Sequence, residues 1–150
     1  MYSREEAKLL KQEFWTTFGQ WSQKKRKSRG KGKWLLNRTG AKGYRFKFEA
    51  EKKTLCVCLE IIDDDEIIRE IRYEKLLMLK PVFDEATNHE LIWDPNFFIA
   101  PGKAVSRVYF QKKGFTLNNR QYWPEIFSFF YHKMSSLEDI FEEYKELLDE

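Results

Sequence analysis

The chain is short of the residues that define several classes of protein. Two cysteines in 150 residues are too few for a disulfide framework. Two histidines leave little for a metal site. No apolar run approaches the ~18 residues that a membrane helix needs. The opening Met1-Tyr2-Ser3-Arg4-Glu5-Glu6 is charged and has no apolar stretch of a secretory signal behind it. A cytoplasmic protein that makes no membrane contact is therefore expected. Low apolar content, the mark of disorder, is also missing: hydrophobic residues make up 42% and aromatic ones 17%. The length suits a single domain over 1–150.

Acidic residues are missing from one long stretch. Between Phe14 and Phe48 there are none, while Lys24, Lys25, Arg26, Lys27, Arg29, Lys31, Lys33, Arg38, Lys42, Arg45 and Lys47 bring +11. Net charge is only +3, so the remainder carries −8, and residues 135–150 alone carry −6. Such asymmetry fits a basic segment offered to an anionic partner, DNA or RNA above all. The bland reading is a solvated loop, or one that folds back on the acidic tail.

Periodicity divides the chain into elements. Ser3-Arg4-Glu5-Glu6 is a capping box, and Ala7, Leu10, Phe14, Phe18 and Trp21 repeat at three and four, predicting a helix over 4–22. Residues 22–43 read as a connection with four glycines and the basic run, and 22–32 is expected to be mobile. Within it Trp34-Leu35-Leu36 should dock on the core. Tyr44, Phe46 and Phe48 alternate with Arg45 and Lys47, a half-buried strand. Residues 54–62, apolar on both faces, form a more central strand that closes a hairpin.

A helix capped by Asp63-Asp64-Asp65 should run to about 87, disturbed at Pro81. Strands follow over 91–99 and 104–112, the first an edge strand because of Asp94-Pro95, with a Pro101-Gly102 turn between them. Two helical stretches end the chain, the second restarting at Ser135-Ser136. The order α-ββ-α-ββ-α-α predicts an α+β fold: a four-stranded, mainly antiparallel sheet from two hairpins, with helices packed on it.

Candidate chemistry is thin. Cys56 and Cys58 share one strand face, and with only His89 and His132 elsewhere they read as core cysteines rather than zinc ligands. No nucleophile elbow, phosphate loop or dinucleotide fingerprint is present. Glu49 and Glu51 near Lys53, or Glu60 near Asp63, Asp64 and Asp65, would be the acids of a metal-dependent nuclease, but such short patterns are common in a chain with 34% charge. No catalytic residue, cofactor or metal is expected. Lys42-Gly43-Tyr44-Arg45-Phe46-Lys47-Phe48 begins like an RNA-binding signature, in which aromatic rings stack on bases. Alternation instead turns those three rings to the core.

Several segments taken together carry a resemblance: Tyr2-Ser3-Arg4-Glu5-Glu6-Ala7, Glu13-Phe14-Trp15-Thr16-Thr17-Phe18-Gly19, Lys33-Trp34-Leu35-Leu36, Tyr44-Arg45-Phe46-Lys47-Phe48, Ser106-Arg107-Val108-Tyr109 and Trp123-Pro124-Glu125-Ile126-Phe127. In these the chain resembles the bacterial single-domain family known as domain of unknown function 4268, sometimes found fused behind a restriction-nuclease-like domain. That association implies a DNA-linked setting by analogy and brings no catalytic residues with it. The expectation is a non-enzymatic domain that binds nucleic acid or another anionic partner through its basic segment. The alternative is a protein-interaction domain using aromatic-rich or acidic helical surfaces, and a nuclease-related protein comes third.

Overall fold

The computed structural model describes residues 3–150. Helix α1, Arg4–Ser28, opens as the capping box requires, with the Glu6 N–H donating to Ser3 Oγ at 3.1 Å. It runs six residues beyond the expected end. Leu10, Phe14, Phe18, Ser22 and Arg26, spaced by four, are its buried residues, so the inward face continues through the basic run. Lysine and arginine are good helix formers, and cations complement the C-terminal end of the dipole. Residues 22–28 are thus helix, and the connection proper starts at Arg29.

Strands β1 (Tyr44–Glu51) and β2 (Thr54–Ile61) form the first hairpin, and β3 (Ile92–Ala100) and β4 (Lys103–Lys113) the second. They join in one sheet of order β1-β2-β4-β3, antiparallel throughout. The α+β class, the two hairpins and the helical stretches before, between and after them are as the sequence predicts. β3 is an edge strand, as is β1, and its register shifts between Asp94 and Phe97, where Pro95 offers no N–H to the ladder. Gly102, at φ +72°, takes the turn position that requires positive φ.

The helical stretches divide differently from expectation. Pro81 splits the middle one into α2 (Glu66–Met78) and α3 (Lys80–Ala86), with Leu79 as the junction. Proline has no N–H for the Leu77 carbonyl but is tolerated in the first turn of a new helix. After a 3₁₀ turn at Arg120–Tyr122, α4 runs unbroken over Trp123–Leu148. Ser135-Ser136 does not restart it. Phe130, Met134, Leu137, Phe141 and Leu148 keep one buried face across the serines, and that burial outweighs the modest helix propensity of serine.

All the helices contribute to a core on one face of the sheet, against Phe46, Leu55, Val57, Leu59, Ile61, Val108 and Phe110. Phe14 is fully buried at the hub, its ring 5.0–6.2 Å from those of Trp15, Phe18, Trp123, Phe127 and Phe130. Such ring pairs add to the burial energy of each ring. Phe14→Ala is therefore expected to lower unfolding free energy by about 3–5 kcal/mol. Denaturant titration checks this, and a loss below about 1 kcal/mol would mean that the α1 face is not held in the core.

Candidate functional site

The helix-free face of the sheet carries the alternate residues of each strand. On it Glu60 and Arg107, both fully buried, pair through two nitrogens at 2.6 and 2.7 Å. Arg107 also holds both Glu49 oxygens at 3.2 Å, and Arg45 reaches Glu60 at 2.7 Å. The Phe97 ring lies 3.7 Å from the Arg107 guanidinium carbon and roofs it. Cys56 and Cys58 are buried beside Tyr109 in a small separate cluster, not in the main core. Burial pushes the Cys58 thiol well up, while a hydrogen bond from Cys58 lowers Cys56.

These pairings engage the acids that a nuclease would need, Asp64 excepted. Glu49 and Glu60 face arginines, Glu51 pairs with Lys11, Asp63 with Arg72, and Asp65 caps α2. Among the described residues no group of three or more His, Cys, Asp and Glu side chains gathers to hold a metal ion. His132 is exposed, its Nδ1 beside the Ser128 carbonyl. Tyr44, Phe46 and Phe48 pack on Phe141 and Phe130, so they are not free to stack on bases.

The basic residues do not gather on one face. Arg45 and Lys47 lie on the helix-free face, paired to Glu60 and Glu49. Arg26 is buried: its guanidinium grips both Glu138 oxygens at 2.9 and 3.1 Å, gives Nε–H to the Gly32 carbonyl at 2.7 Å, and lies over the Trp34 ring. Lys31 pairs with Glu138 and Asp139. The acidic tail thus does dock part of the basic segment, and Trp34 and Leu36 dock as expected while Leu35 stays exposed.

Lys24, Lys25, Lys27, Arg29, Lys33, Arg38 and Lys42 are exposed, and none of them forms a salt bridge with a described residue. Lys25 sits over the Trp21 and Tyr131 rings, and Tyr131 holds the Arg29 pKa above its ordinary value by a hydrogen bond. Thr17, Gln20, Trp21, Gln23, Lys24 and Lys27 line one open hollow of about 600 Å³ along the last turns of α1. It offers cations, amide donors and one half-buried indole. The two glutamines carry no signal that composition or spacing could have picked out. Glu138, the partner of Arg26, lies 112 residues away in sequence and could be paired with it only in the folded chain.

The chain belongs to the family described as Domain of unknown function (DUF4268), whose model matches residues 10–145. No curated protein and no solved structure matches it.

Two outcomes follow from the helix-free face. Arg107→Met should cost about 3 kcal/mol, the low end for breaking a buried pair, because Arg45 still holds one Glu60 oxygen. Equilibrium unfolding measures it, and a neutral substitution would show that the face is not sealed. The second concerns pH. Burial raises the Glu49 pKa, but the hydrogen bonds and charge of Arg107, with a smaller part from Lys47, outweigh it and leave it below 4.5. A carboxyl lowered in the folded state stabilises above its unfolded value, and that stability is lost as pH falls through the folded value. Wild type should exceed Glu49→Gln in stability at neutral pH, and the gap should close as pH drops below 4.5. A gap independent of pH would contradict this.

Proposed function

We propose that this domain is a non-enzymatic binder of nucleic-acid backbone, using the end of α1 and the connection after it. The observation that carries this reading is the division of the basic segment: Arg26, Lys31, Arg45 and Lys47 are engaged by acids, while Lys24, Lys25, Lys27 and Arg29 remain exposed at the α1 end and Lys33, Arg38 and Lys42 along the connection. Lysines would neutralise phosphates, and Gln20 and Gln23 would add neutral hydrogen bonds to phosphate or sugar. No base-reading constellation accompanies them, so binding should not depend on sequence.

With about four phosphates neutralised on a duplex, log affinity should fall against log salt with a slope near −3.6. Lys24→Gln with Lys27→Gln should flatten that slope by about 1.8 and weaken binding to every sequence alike. Fold stability should hardly change, since both side chains are exposed. Arg26→Gln, by contrast, should lower stability, because it leaves Glu138 without its two-pronged partner. The measurement is a titration of labelled duplex and single-stranded oligonucleotides at several salt concentrations. No binding at low salt, or unchanged binding by the double variant, would refute the reading.

A protein-interaction role is favoured by a different observation. Ile67, Ile71 and Met78 form an exposed apolar stripe on α2, with Ile67 69% and Met78 81% accessible. Apolar association would persist at salt concentrations that remove phosphate binding. The aromatic residues expected at such a surface are instead largely inside the core.

A further inference from the structure

At the opposite end of α1 lies a second cationic region, and it is concave. Arg4, Lys8 and Lys11 from the first turns of α1 face Lys52 and Lys53 of the β1–β2 turn across a cleft of about 360 Å³. Thr116 and Asn118 form one wall, and Ala7, Ala50, Phe115 and Leu117 add apolar lining. The only acid among the lining residues is Glu51, which pairs with Lys11 at 3.3 Å. Five cations and one carboxylate leave the cleft near +4.

The turn that supplies two of these cations is built against its own preference. Register places Glu51 opposite Thr54, so Lys52 and Lys53 are the two central residues of the hairpin, with φ of 49° and 60°. A two-residue turn with both φ positive favours Asn-Gly, whose residues adopt that conformation with little strain. Here two lysines occupy it, side by side and alike in charge. The turn is held from outside, since the Lys53 carbonyl accepts from the N–H groups of Gly114 and Phe115 at 2.8 and 3.3 Å. Backbone strain kept in place by its surroundings, next to uncompensated charge, is a feature of ligand sites.

We infer that this cleft binds a small anion carrying two or more linked phosphates, such as the diphosphate or triphosphate group of a nucleotide. Its volume lies at the small end of ligand pockets. A duplex presents charge along a line and calls for a stripe of cations, whereas these five surround one hollow. Charge-assisted hydrogen bonds from several ammonium groups and a guanidinium suit clustered phosphate oxygens. The hydroxyl and amide of Thr116 and Asn118 supply neutral donors beside them. The inference does not rest on the nucleic-acid reading, because the two regions share no residue, and Lys8 and Lys24 lie about 24 Å apart along the helix at about 1.5 Å per residue.

Calorimetric titration with inorganic orthophosphate, pyrophosphate and tripolyphosphate at constant ionic strength tests it. Affinity should rise at least about tenfold from orthophosphate to tripolyphosphate, as added charge-assisted contacts require. Lys52→Asn with Lys53→Gly relieves the turn, so the melting temperature should hold or rise while tripolyphosphate affinity falls about tenfold or more. Lys8→Gln, on an exposed helical position, gives a second variant with the same expected loss should the turn variant unfold. Lys103→Gln, at the start of β4, should bind as wild type does. The inference is overturned by absence of tripolyphosphate binding, by equal binding in the folded cleft variants, or by a matching loss in Lys103→Gln, which would mean a diffuse field. Displacement of tripolyphosphate by a duplex oligonucleotide would also overturn it, in favour of nucleic-acid backbone in the cleft.

Discussion

Every helix of this fold packs on one face of the sheet, and the other face must satisfy its own polar groups. The Glu60–Arg107 pair is what makes that possible. Strand register puts Arg45 opposite Glu60, Glu60 opposite Arg107, and Arg107 opposite Asp94, so one row of alternating charge crosses all four strands. A shift of register by one residue would turn that row into the aromatic core and the core residues out to water. Buried ion pairs are weak sources of net stability, but they are strong specifiers of arrangement when misplacing them buries an uncompensated charge. The row ties the two hairpins into one sheet in one register. The helices then have a single apolar surface on which to pack.

That surface was legible in the sequence because strand and helix periods are local. Alternation in β1 turned Tyr44, Phe46 and Phe48 inward, and the four-residue spacing of Leu10, Phe14 and Phe18 marked the inner face of α1. The edge position of β3 followed from one proline. The polar row was not legible as a unit. Glu49, Glu60 and Arg107 look like ordinary surface charges when each strand is read alone, and only pairing across strands buries Glu60 and Arg107 and half-buries Glu49. The same reason made the acids look available for metal chemistry.

The end of α1 went unseen as helix for a related cause. A run of lysine and arginine with glycines behind it reads as a solvated connection, since charge density suggests exposure. Arg26 defeats that inference. It falls on the inward face by position, and its guanidinium pairs with Glu138 and lies over the Trp34 ring. Arginine can close a helix face that leucine opened, provided that an acid is waiting on the neighbouring helix. The acid stands on α4 for a separate reason: Leu137 and Phe141 on either side of it are core residues, which brings the turn bearing Glu138 against α1.

Internal neutralisation therefore decides which cations remain for partners. The chain has 27 basic and 24 acidic residues, so its small net charge says little about the field it presents. Acids are concentrated on α4 and around the start of α2, and they engage the arginines that packing carries to them, Arg26 and Arg72. What is left over are mainly lysines at the two ends of α1, beyond the aromatic hub at Phe14 that fixes its middle. Lysine suits such positions, because its flexible stem keeps the charge in water. Internal pairing takes up the buried arginines, Arg26 and Arg107, and it leaves a helix whose middle is held by aromatic packing and whose ends carry exposed cations.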